Sequence, residues 1–165
     1  MDKTDLMEYF LDFSVAATGF SRFELEGTGQ APLYFETVLQ QTGEEILGEL
    51  LQTFHELVRS AEKEYKPGIF TEGLQSKIMA SGKLGPIARN IIKLWYIATW
   101  DALPSEWQKW YATSQEEARE EEAPFIPSPQ AYPEGLVWKA VGVNPPGAKP
   151  QGYGTWSDPP SVSLS

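Results

Sequence analysis

The chain has 165 residues, 41% of them hydrophobic and 13% aromatic, which suits one folded domain with a core of useful size. Its formal net charge is −10 and it contains no cysteine. This excludes disulfides, thiolate catalysis, iron–sulfur clusters and cysteine-ligated zinc, and it argues against nucleic acid or an anionic membrane as partner, since both need a basic patch.

The first helix is predicted from about Asp5 to Ala17, capped by Thr4, with Leu6, Phe10, Phe13 and Ala17 on one face and Gly19 at its end. Glu26-Gly27-Thr28-Gly29 reads as a turn or loop. A second helix opens at Pro32, a good first-turn residue, and stops at Gly43. A third follows closely, with Thr42 and Glu45 at capping-box spacing. Its stripe of Ile46, Leu47, Leu50, Leu51, Phe54, Leu57 and Val58 is the clearest amphipathic pattern in the chain. Lys66-Pro67-Gly68 breaks it, and a shorter helix is expected near Thr71–Ala80 with Gly73 inside it. Pro86 starts a central helix whose buried side carries Ile87, Ile91, Leu94, Trp95 and Ala98, leaving Arg89 and Lys93 exposed. Pro104 and Ser105 open a short segment with Trp107, Trp110 and Tyr111, and the glutamate-rich run from Glu116 to Glu122 reads as a solvated helix end or hinge.

The pattern therefore predicts an all-α body, residues 1–122, as an irregular bundle of five to six helices, with no internal repeat and no strand alternation. Residues 123–165 form an extended arm of different chemistry. Nine of the chain's 13 prolines fall within 124–160, with Phe125, Tyr132, Trp138, Tyr153 and Trp156 between them and few charges. Proline forbids a long helix and spoils central strands, while disordered tails are poor in aromatics. An arm stiffened by proline and carrying large rings is best explained by a surface it lies on, either this chain's own body or another protein.

Catalytic chemistry finds little purchase in the residues. His55 is the sole histidine and lies within the strongest helical stripe, so a surface or packing role is expected, not a triad or a zinc site. Glu44, Glu45 and Glu49 sit at a helix start, where negative charge favours the dipole. Gly27-Thr28-Gly29 and Gly152-Tyr153-Gly154 lack the preceding strand and third glycine of a dinucleotide fingerprint. Trp95 and Trp100 lie on a helical segment and read mainly as core, as do Trp107 and Trp110, although their short helix can place one of the two on the surface; Trp138 and Trp156 have no periodic apolar face around them and read equally as partner anchors.

Three stretches carry a resemblance. The first is Phe13-Ser14-Val15-Ala16-Ala17-Thr18-Gly19-Phe20, continuing through Glu26-Gly27-Thr28-Gly29-Gln30-Ala31. The second is Gly85-Pro86-Ile87-Ala88-Arg89-Asn90-Ile91-Ile92-Lys93-Leu94-Trp95-Tyr96, with Leu103-Pro104 after it. The third runs from Ser128-Pro129-Gln130-Ala131-Tyr132-Pro133-Glu134-Gly135-Leu136-Val137-Trp138 to Asn144-Pro145-Pro146-Gly147-Ala148-Lys149 and Gly152-Tyr153-Gly154-Thr155-Trp156. Over about residues 10–160 the chain resembles the small subunit of membrane-associated, FAD-dependent sugar and polyol dehydrogenases of the sorbitol dehydrogenase type.

The resemblance implies a non-catalytic role. The catalytic partner is a large flavoprotein of the glucose–methanol–choline oxidoreductase class, which binds the FAD and oxidises the sugar. A cytochrome c subunit often passes the electrons on. The small subunit supports maturation, stability and export of the large one, at the periplasmic face of the cytoplasmic membrane. Members commonly carry a twin-arginine leader, whereas the opening Met1-Asp2-Lys3-Thr4-Asp5 has neither that pair nor an apolar stretch behind it; removal of a leader, a signal on the partner, or a cytoplasmic variant would each account for this. The expected partner-binding residues are Tyr132, Trp138, Tyr153 and Trp156 as anchors, Pro145 and Pro146 setting the arm's path, and Arg89 and Lys93 adding polar contacts; no catalytic, cofactor or metal residue is expected in this chain. A carbohydrate-binding module using exposed tryptophans is the second reading, and a free-standing enzyme using a carboxylate is the third.

Overall fold

The computed structural model describes residues 3–111 and 123–145. The glutamate-rich run, and Pro146, Tyr153 and Trp156, lie outside the described residues. Among the described residues seven α-helices follow one another: α1 Lys3–Thr18, α2 Arg22–Gly27, α3 Ala31–Glu64, α4 Pro67–Gly73, α5 Gly85–Ile97, α6 Ser105–Tyr111 and α7 Leu136–Ala140. A π-helical turn, Leu74–Met79, continues α4, and a 3₁₀ helix, Pro129–Glu134, precedes α7. The expected all-α architecture is what the molecule has.

The core is built by α1, α3 and α5, which pack against one another pairwise. Phe10 and Phe13 enter from α1, Tyr34, Phe35, Leu50, Leu51 and Phe54 from α3, and Ile87, Ile91, Leu94 and Trp95 from α5. Most of their ring pairs meet edge to face, an arrangement that ring quadrupoles favour. Tyr34 meets Trp95 at 5.0 Å and 90°, and Phe13 meets Phe54 at 5.4 Å and 90°. Trp95 and Trp100 are buried as expected. Trp107 is buried with its indole N–H donating to the Lys83 carbonyl at 2.7 Å, whereas Trp110 is 71% exposed.

Local chemistry sets the boundaries, and in places it differs from the expectation. Gly43 has φ 77° and ψ 160° inside α3, a backbone state that glycine alone adopts freely, so it divides the long helix where the second helix was expected to stop. Thr42 does not cap the second half. Its hydroxyl donates back to the Val38 carbonyl at 2.9 Å, because Thr42 still belongs to the turn before the break. The capping box lies earlier, in a segment whose helix the sequence pattern left out: Ser21 Oγ accepts from the Glu24 N–H, and the Glu24 carboxylate accepts from the Ser21 N–H at 2.8 Å, which starts α2. Ser21→Ala is expected to cost about 0.5–2 kcal/mol in urea denaturation, with α2 the first element to lose amide protection.

Asn90 is a buried polar residue with a specific task. Its side-chain amide donates to the Asp101 carbonyl at 3.0 Å and accepts from the Asp101 N–H at 2.9 Å. It thereby fixes the segment after α5, where Trp100 and Phe125 exchange both backbone hydrogen bonds at 2.9 and 3.0 Å. That bridge brings the arm onto the body.

Candidate functional site

Beyond the bridge, the described part of the arm is more coiled than an extended strap. Ser128 caps the 3₁₀ helix by accepting from the Gln130 N–H, and Pro129 supplies a first-turn residue that needs no hydrogen-bond acceptor. Ala131 and Leu136 are buried and join the same core cluster as α1, α3 and α5. Gly135 comes so close to α5 that a β-carbon there would lie 2.7 Å from the Tyr96 carbonyl oxygen. For residues 123–145, then, the surface on which the arm lies includes this chain's own body.

The seated arm presents its rings in fixed positions. Trp138 donates its indole N–H to the Tyr132 carbonyl at 2.9 Å, and the two rings meet at 5.3 Å and 73°. Lys139 reaches across to Glu24 at 2.6 Å and lies 5.9 Å from the Phe20 ring centroid. Between α2 and α7 runs an open groove of about 400 Å³, lined by Phe23, Gly27 and Thr28 on one side and by Pro133, Trp138 and Val143 on the other. Pro145 lines its end and is buried.

The Lys139 ammonium, and then the Ser21 hydroxyl and N–H, hold the Glu24 carboxyl down to about 2 from an ordinary 4.5. A carboxyl depressed in this way favours the closed pair above its unfolded value and loses that contribution as pH falls through the folded one. Protection of the α7 amides is therefore expected to decline between about pH 4.5 and 2. In Glu24→Gln that step should vanish, a change that hydrogen exchange read across this range would detect. Burial, with the Glu134 carboxylate adding to it, pushes the Tyr34 hydroxyl far above its ordinary range, so it stays protonated.

The expected partner-binding residues fall into two groups. Tyr132, Trp138 and Pro145 come together on the arm, with Trp138 and Pro145 at the groove. Arg89 and Lys93 have partners within the chain: Arg89 Nη1 donates to the Met79 carbonyl at 3.0 Å, and Lys93 pairs with Asp101. Phe23, Glu24, Gly135 and Lys139 were not singled out from the sequence. Only the Ser21–Glu24 spacing gave a local signal for them. His55 packs, as expected, with its ring centroid 3.7 Å from that of Tyr9. Its Nε2 lies 3.6 Å from Asp12 Oδ2, too far for a hydrogen bond, and is buried without one.

Among the described residues no group of three or more His, Asp or Glu is placed to hold a metal ion. No helix among them is long and apolar enough to cross a membrane. Comparison of the chain with protein-family models, with curated proteins and with solved structures finds no match.

Proposed function

We propose that this chain is a non-catalytic small subunit of an FAD-dependent sugar or polyol dehydrogenase, acting in maturation and stability of the flavin-bearing catalytic subunit. One observation supports the reading: the stretches that bear the resemblance, far apart in sequence, touch one another in the fold. Tyr96 of the second stretch donates its hydroxyl to the Thr18 carbonyl of the first at 2.9 Å and packs edge-on against Phe20. Gly135 of the third rests on the Tyr96 carbonyl. Gly27 and Thr28 of the first share the groove with Pro133, Leu136 and Trp138 of the third. The first and third stretches thus line an open groove, which is what a partner face offers, and the second supports it through Tyr96.

Tyr132 and Trp138 are held against each other there, so docking orders fewer side chains than a free tail would. FAD belongs to the partner in this reading, as does the choice of sugar. A periplasmic site of action and a cytochrome c subunit to receive the electrons complete the proposal. The experiment is co-expression of the large flavoprotein with and without this chain. Soluble yield and flavin occupancy are expected to fall several-fold in its absence. Equal values in both cultures, or saturable sugar binding by this chain alone, would overturn it.

A further inference from the structure

We propose that the groove between α2 and α7 is occupied by this chain's own continuation, residues 146–156, with Tyr153 and Trp156 as the rings that cover Phe23 and Trp138. The inference goes beyond the small-subunit reading and does not depend on it, since it concerns the isolated chain.

The backbone leads the chain to the groove. The Gly142 N–H donates to the Lys139 carbonyl at 3.2 Å, and the Val143 N–H donates to the Trp138 carbonyl at 2.9 Å. With Gly142 at φ 72°, this is the Schellman arrangement, which closes α7 and turns the chain back over its last turn. Residues 141–144 are exposed, yet Pro145 is buried and lines the groove with Val143 and Asn144. The described chain thus returns from solvent to the body, and residue 146 starts at the groove wall.

The groove and the continuation suit each other. Phe23 is 84% exposed, although its helix is held by buried Leu25 and by the Ser21–Glu24 capping box, so the described residues leave this ring uncovered. It lines the same groove as Pro133, Trp138 and Val143, the last 53% exposed, which makes a connected apolar lining and not a scatter of single residues. A volume of about 400 Å³ takes a small ligand or a few side chains. Residues 146–156 bring two rings and a single charged side chain, Lys149, so placing them against an apolar wall forfeits little hydration. Tyr153 follows Pro145 by eight residues and Trp156 by eleven, a span that closes on itself at small entropic cost.

Connectivity selects this occupant. A segment joined to the groove wall by a short linker meets the groove at an effective concentration of about millimolar. A second copy, or a separate protein, must displace it from free solution without that advantage.

The test uses the full-length chain carrying Phe23→p-benzoylphenylalanine. Illumination is expected to give a crosslink within one chain, mapped by peptide mass to residues 146–156, with a yield independent of protein concentration. Adding Tyr153→Ser and Trp156→Ser is expected to lower that yield several-fold and to speed amide exchange in α7 by a similar factor. Retained amide protection of α5 in the same samples shows that the core is folded. The absence of a crosslink to residues 146–156 would overturn the proposal, as would a crosslink to a second copy whose yield rises with concentration. Unchanged crosslinking in the double serine variant would overturn it too. Each outcome is read without the flavoprotein, so this inference and the small-subunit reading fail separately.

Discussion

Trp95→Ala is expected to lower the stability of the fold by about 3–5 kcal/mol, the range for deleting a large buried ring. Trp95 is fully buried on α5 and touches the other two central helices at once, stacking on Phe10 of α1 at 6.4 Å and receiving Tyr34 of α3 edge-on at 5.0 Å. Those rings cannot close the space, because Phe10 is also packed against Phe35 at 5.7 Å. Trp95→Phe should behave differently. The indole N–H is buried with no acceptor, so its removal deletes an unsatisfied donor whose burial costs about 1–3 kcal/mol. That gain offsets part of the lost ring volume, and the net loss is expected below about 1.5 kcal/mol. Urea denaturation of the two variants separates the contributions. A Phe variant as unstable as the Ala variant would show that the indole nitrogen has no part in the balance.

The three central helices were legible because each buries a long stripe. Leu47, Leu50, Leu51, Phe54 and Leu57 are all buried, as their spacing required, and Gly43 marked the break in α3 because no other residue tolerates that backbone easily. α2 was not legible. Six residues with one buried side chain, Leu25, hold too few turns for a period, so only the cap announced it. The short helices of the arm were hidden for a related reason. Pro129 at the start of the 3₁₀ helix reads as a helix breaker until Ser128 is seen to cap the turn, and Gly135, before α7, gives no sign in sequence that it faces a carbonyl on α5.

The site was harder still to foresee, because its contacts are long-range. Lys139 and Glu24 are separated by 115 positions, and nothing near either residue points to the other. Tyr132 and Trp138 were visible as rings in a segment without a periodic face. Arg89 and Lys93 were visible as charges on the outer side of α5, but their partners, the Met79 carbonyl and Asp101, depend on how a π-helical turn and the post-helix segment fold back. The groove exists only because two elements with weak local signals are held side by side.

Gly135→Ala is expected to release the arm while leaving the three-helix core folded. Gly135 has φ −56° and ψ 131°, a state open to any residue, so the objection to a side chain is steric and not conformational. The added β-carbon would meet the Tyr96 carbonyl oxygen at 2.7 Å and the Tyr132 carbonyl oxygen at 3.4 Å. The first belongs to the last turn of α5 and cannot swing aside as a side chain would, so the arm must retreat. Retreat exposes Leu136 and Ala131 on either side of it, and a leucine leaving the core forfeits about 1.5–3 kcal/mol. It also parts Lys139 from Glu24 and opens the groove. The loss is confined to the arm because α1, α3 and α5 keep their mutual contacts. Amide protection over 129–140 is therefore expected to collapse while that of α5 persists, and under the proposed function the affinity for a flavoprotein partner should fall with it. Gly48→Ala is the matched control, a helix interior position with open space around it, where alanine should stabilise by about 0.5–1 kcal/mol. If Gly135→Ala keeps the arm protected and the complex intact, the close approach to Tyr96 does not hold the arm, and the preformed face built on it has to be abandoned.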